Sequence, residues 1–203
     1  MMVNHSHIKS FLPSQSSDYV FSVIAGISVP FKIEIKKQRK TCYGDYRRYS
    51  NGNHKISLNN NLKPEVFLLT LLHEIAHLVT FLKYGRTVKP HGTEWKLNYK
   101  MLMLPLINDC VFNTKLLPLI ANHFKNPKAS IDSNHQLSLL LKGEILNPSK
   151  KFVFQIENGS IFTVDKKRKF VKEGKKTKRV VCKDLESGKR YLFHPNIEVE
   201  LVK

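Results

Sequence analysis

The chain has 203 residues, of which 41% are hydrophobic, and 34 Lys+Arg stand against 16 Asp+Glu for a formal charge of +18. This composition excludes a disordered or collagen-like chain and leaves material for a proper core, in one domain with an appendage or in two small domains. The charge points to polyanionic partners, nucleic acid first, against the plainer reading of a lysine-rich soluble surface.

Residues 1–20 are polar, Ser-rich and weakly patterned, and read as a lead-in. They contain no basic stretch followed by an uninterrupted apolar core, so no secretory signal is expected. From FKIEIKK (31–37) apolar and polar residues alternate with the period of a half-buried strand. TCYGDYRRY (41–49) and HKISLN (54–59) read as two more strands joined through an Asn-Gly turn, which together predict a small antiparallel sheet.

A helix follows, with Pro64 at its first position, Glu65 at the positive end of its dipole and Gly85 as its stop. The apolar run Val66 to Leu82 approaches a membrane span in length but carries His73, Glu74 and His77 at its middle. Ionisable groups at that depth are costly in lipid, so a buried core helix is expected, and no membrane. HGTEWKLNYKMLM (91–103) opens a second helix that Pro105 ends or kinks, and further helical turns are expected in NTKLLPLIANHFKNPKAS and SNHQLSLLLK.

Around LNPSKK (146–151) the pattern changes to period two, with turn signals at ENGS, KEGKK and ESGK, which predicts a small all-β module. Residues 150–203 hold 15 Lys+Arg and 7 Asp+Glu, so the module shares the basicity with the rest of the chain. Cys42, Cys110 and Cys182 stand far apart with no C-x-x-C pair, which fits a reducing cytoplasm and no disulfide framework.

On a helix, positions i and i+4 share a face, so His73 and His77 can aim two imidazoles at one point with Glu74 one step round. This H-E-x-x-H arrangement is that of a zinc site with its general base, and a metal would partner histidines otherwise penalised in an apolar helix. A third ligand is needed. The metzincin spacing requires Gly at 80 and His at 83, where this chain has Thr80 and Lys83, so that class is excluded. His91 and Glu94, in KPHGTEW, are the remaining candidates, and spacing favours neither strongly.

LLTLLHEIAHL with a downstream HGTEW resembles the SprT-like zinc metallopeptidases, which include bacterial SprT proteins and the SprT domain of Spartan. The resemblance extends to FKIEIKKQRKTCYGDYR, HKISLN and RVVCKDLESGKRYLFHPNIEVELV. It implies one zinc held by His73, His77 and His91, with Glu74 as general base for peptide-bond hydrolysis. It implies an α+β zincin-like domain over residues 21–145, with the H-E-x-x-H helix central, followed by the basic β module, residues 146–203. Many relatives carry a four-cysteine zinc ribbon at the module's position, but only Cys182 remains here, so no second zinc is expected. Phe152, Phe154, Phe162, Tyr191 and Phe193 would hold its shape instead. Tyr99 and His54 are candidates for steadying an oxyanion, and the substrate is expected along an exposed strand edge.

Lys36, Lys37, Arg39, Lys40, Arg47 and Arg48 cluster around the first strands. Lys166, Lys167, Arg168, Lys169, Lys175, Lys176, Lys178 and Arg179 cluster in the tail. Both are candidate nucleic-acid contacts, with Tyr43, Tyr46 and Phe170 as stacking aromatics unless these are core residues. The Spartan branch acts on proteins crosslinked to DNA, so protein substrate and DNA are the expected partners of a monomer. The rival reading is a nucleic-acid-binding or transcription-related protein with a structural zinc; Glu74 speaks against it, since a structural site needs no base.

Overall fold

The structure, a computed structural model, describes residues 6–39, 42–130, 134–142, 151–164 and 167–202. Two compact units divide the chain, Met1–Ser130 and Ile131–Lys203.

In the first unit the opening segment is built into the core. Ser6–Phe11 and Ser14–Ser16 form 3-10 turns, Ile8 and Leu12 are buried, and the Phe11 ring stacks on Phe67 at 5.2 Å. Helix α1 (Ser17–Ala25) follows, which the weak patterning of residues 1–20 does not announce, because Val20 and Ile24 alone carry its buried apolar face.

Strands β1 (Phe31–Lys36), β2 (Gly44–Arg48) and β3 (His54–Asn59) form one sheet, and the Asn-Gly turn places Gly52 at φ 84°. The sheet is mixed, which corrects the expectation of a wholly antiparallel one. Its order is β1-β3-β2, with β1 parallel and β2 antiparallel to β3. The cause lies in β3, where all residues but Lys55 are buried. A strand covered on both faces belongs in the centre of a sheet, and half-exposed β1 takes an edge.

Helix α2 (Pro64–Tyr84) lies against β2 and β3 on one side and α3 (Thr93–Met103) on another. Among the described residues it is the one helix long and apolar enough to cross a membrane, and 67% of its most apolar stretch is buried inside protein. Phe67, Leu68, Leu69, Leu71 and Leu72 are fully buried, so its greasiness is that of a core helix. Gly85, at φ 62°, ends it. Pro105 converts the end of α3 into a 3-10 turn, and α4 (Leu117–Lys125) completes the unit.

The second unit contains α5 (His135–Lys142) and a six-stranded antiparallel sheet ordered β4-β9-β5-β6-β7-β8. Its strands are β4 (Lys151–Phe152), β5 (Ile161–Thr163), β6 (Lys169–Lys176), β7 (Arg179–Asp184), β8 (Arg190–Phe193) and β9 (Glu198–Leu201). Val153, Ile156, Phe162, Phe170, Val180, Cys182 and Val199 form its core, with Phe193 and Ile197 packed against it. Phe152 is buried too and stacks with Phe154, but Tyr191 is 37% exposed and lies at the rim under the Arg168 guanidinium. The turn expected at KEGKK lies further on. Gly174 sits at a bulge inside β6, and the chain reverses at Thr177 and Lys178, with Thr177 at φ 53°. A glycine inside a strand marks a bulge as readily as a turn.

Asp184 is buried at the end of β7, where it accepts hydrogen bonds from the backbone N–H groups of Glu186 and Ser187 and pairs with Arg168. Those interactions, the Ser187 N–H first, outweigh burial and hold its carboxyl down at about 2. A carboxylate whose folded value lies below its unfolded value, about 3.9, stabilises the fold above that value. Protection of β6 and β7 amides from hydrogen exchange is therefore expected to persist above pH ~4 and to fall as pH drops toward 2. Asp184→Asn should remove that part of the pH dependence.

Candidate metal centre

The i, i+4 spacing on α2 stacks His73 over His77, and the loop after α2 brings His91 to the same point. The three Nε2 atoms lie 3.2 Å (His73 to His77), 3.0 Å (His77 to His91) and 3.2 Å (His91 to His73) apart. Burial holds the His73 imidazole down at about 3 and that of His77 at about 4, each pushed further by neighbouring imidazoles, and burial lowers His91 as well. Neutral rings of this kind present lone pairs. Three nitrogens in mutual contact cannot all be satisfied by one another's N–H groups, whereas a cation at their centre satisfies all three. Nitrogens bound to one tetrahedral zinc at about 2.0–2.1 Å lie roughly 3.3 Å apart, so the donor set fits such an ion. These three residues could hold a metal ion, and Glu94 is not among the converging groups.

Two backbone features hold His91 in place. Its φ is 59°, in the left-handed region that histidine enters more readily than most residues. Gly92 follows, where an added Cβ would stand 2.9 Å from the Lys89 carbonyl oxygen and 3.3 Å from the Glu94 carboxylate. Trp95, fully buried, lays its ring against all three imidazoles, with centroids 4.6, 5.3 and 4.6 Å from His73, His77 and His91.

Glu74 is 7% exposed, and burial, with the Asp45 charge beside it, pushes its carboxyl up to about 8 against a hydrogen bond from the Tyr46 backbone N–H. A carboxylate so placed holds a proton far more readily than one in water. β2 comes close enough for this contact because Gly44 has no side chain: a Cβ there would stand 2.7 Å from Thr70 Cγ2 and 3.2 Å from Glu74 Cγ. Gly44→Ala is expected to cost about 1–3 kcal/mol of stability in thermal unfolding and to lower activity while metal content is kept, because it pushes β2 off α2.

The cavity in front of the histidines has a volume of about 620 Å³, and Gly44, Asp45 and Tyr46 of β2 form one wall. Tyr46, a candidate stacking aromatic in the sequence, lies in this wall beside the histidines. Its ring lies parallel to that of His77 at 6.5 Å, and its hydroxyl meets His54 Nδ1 at 2.9 Å. The two expected oxyanion groups are placed otherwise. Tyr99 is 1% exposed and its hydroxyl donates to the Leu69 carbonyl at 2.9 Å. His54 is engaged by Tyr46 and lines a separate cavity with Phe31 and Tyr49.

The basic clusters divide as well. Arg39 is spent internally, on Asp45, Ser57 and Asn59. Arg47 pairs with Asp45 at 2.7 Å, Arg48 lies over the Phe81 ring at 4.9 Å, and Lys36 stands near Glu34. Arg168 is held by Asp184. Lys37, Lys167, Lys169, Lys175, Lys176, Lys178 and Arg179 are exposed, and Lys40 and Lys166 lie outside the described residues. Of the candidate stacking aromatics, Phe170 is a core residue, 5% exposed, and Tyr43 and Tyr46 are half-buried.

The SprT-like family matches this chain over residues 13–115, a stretch that contains all three histidines and Glu74. Protein SprT of Vibrio parahaemolyticus serotype O3:K6 (strain RIMD 2210633) is 53% identical over 34 residues, 16% of this chain and 20% of that protein. The aligned stretch thus spans a fifth of that relative's length. No solved structure matches. With half of its length matched, and the imidazoles of the matched segment gathered at one point, the chain belongs to the SprT-like family.

Proposed function

We propose that this chain is a zinc-dependent metalloendopeptidase of zincin-like build, acting on proteins associated with or crosslinked to DNA. The observation that carries the reading is the buried Glu74 carboxylate on the same turn of α2 as His73, whose Nε2 converges with those of His77 and His91. His73, His77 and His91 would hold one zinc. Zinc bound by three imidazoles supplies Lewis acidity toward a carbonyl and toward water.

The chain's own groups do the rest. Glu74, on the same turn of α2 as His73, takes a proton from the attacking water and returns it to the leaving amine. The Tyr46 N–H orients that carboxylate. β2 stands at the edge of its sheet and walls the cavity, so an extended substrate can pair with it by main-chain hydrogen bonds. Trp95 keeps the imidazoles packed in position. The exposed lysines, present in each unit, support a polyanion as a further partner.

The test is cleavage of a DNA-bound basic protein by the purified, zinc-loaded chain, with and without single-stranded DNA, and after zinc is removed by chelation. Cleavage that requires zinc and increases with DNA is expected. A folded, zinc-loaded chain that leaves the protein intact under every condition would overturn the proposal and leave the binding-protein reading standing.

A further inference from the structure

The two faces of the second unit's sheet differ. The inner face carries the core. On the outer face Ile161 of β5 lies opposite Val171 of β6, and Val181 of β7 lies opposite Leu192 of β8. Val171 faces Lys183, one step along β7 from Val181 on the same side, so the four aliphatics make a diagonal band across four adjacent strands. Ile161 is 39% and Leu192 58% exposed, and Val171 and Val181 are half-buried. Lys169, Lys183 and Arg190 border one side of the band, and Lys176 and Arg179, a cross-strand pair, border the other. Glu173, bonded to Arg190, Glu200, opposite Thr163, and Glu198, two residues before Glu200 on β9 and on the same side, are the acidic residues on this face among the described residues.

We propose that this face docks an acidic amphipathic segment of a partner protein, its aliphatic side chains on the band and its carboxylates on the flanking lysines and arginines. Adjacent strands are about 4.8 Å apart and successive helical turns about 5.4 Å, so side chains one turn apart reach successive strands. Charge complementarity selects the partner, and a second copy of a chain with net charge +18 is repelled. A nucleic acid finds cations here but no platform: Phe162 and Phe170 are buried and Phe193 packs against the core. The inference goes beyond proteolysis and does not depend on it.

The experiment measures binding of the full chain to three probes. They are a short helical peptide with leucines on one face and glutamates on its flanks, the same peptide with glutamines for glutamates, and a single-stranded oligonucleotide. The acidic peptide is expected to bind saturably and the glutamine peptide more weakly. The double variant Ile161→Ser, Leu192→Ser should weaken the acidic peptide at least about tenfold and leave the oligonucleotide unchanged. Lys169→Glu with Lys183→Glu should weaken both. Circular dichroism checks the fold, and Leu192→Ser alone, at the most exposed position on the edge strand, serves if the double variant is unstable. Absence of saturable acidic-peptide binding, equal binding by the serine variants, or displacement of the peptide by the oligonucleotide together with its loss in the serine variants would overturn the proposal. The last result would assign the face to nucleic acid.

Discussion

Glu74→Gln is expected to keep zinc, fold and substrate binding, and to lower kcat by roughly 10²–10⁴. Glutamine matches glutamate in size and can still accept the Tyr46 N–H, so β2 stays on α2 and the three imidazoles are untouched. What is lost is a group able to take and return a proton beside the reacting carbonyl. The measurement pairs zinc content with the cleavage rate of a DNA-bound protein. Full activity in a zinc-loaded Glu74→Gln chain would exclude the assigned base, and a loss of zinc would mean that the carboxylate supports the metal instead.

His91→Asn is expected to lower zinc affinity by at least about 100-fold and to abolish cleavage with it. Asparagine is the informative replacement because it tolerates the left-handed backbone, φ 59°, that alanine at this position would strain. The loop thus survives while the imidazole does not. Two histidines on one helix remain, too few to close a catalytic site. Glu94→Ala should leave zinc in place, since its carboxylate is not among the converging groups. Zinc lost in Glu94→Ala and kept in His91→Asn would reverse the third ligand. A chelator-titrated competition assay reads both variants on one scale.

The elements most legible from the residues are those whose causes are local. Helix α2 follows from Pro64, Gly85 and an unbroken apolar run, and its two histidines share a face because any helix puts i and i+4 together. The Asn-Gly turn and the alternation of the tail strands have the same local character. Helix α1 is less legible, because two buried apolar residues in nine give a faint period. The bulge at Gly174 reads as a turn in the sequence because glycine serves both.

Contacts between distant segments follow another logic. That β3 is central and β1 parallel to it depends on burial from both sides, which no window along the chain records. Likewise Arg39 and Arg168 read as free cations in the sequence, but each finds a carboxylate by folding, Asp45 and Asp184. Tyr46 reaches Glu74 and Tyr99 turns its hydroxyl to Leu69 because of how β2 and α3 pack on α2. The chemistry of the centre was therefore written in residue types and short spacing, which only backbone geometry controls. Its surroundings were set by packing, where the partner of each polar group is whichever side chain the closed core brings within reach.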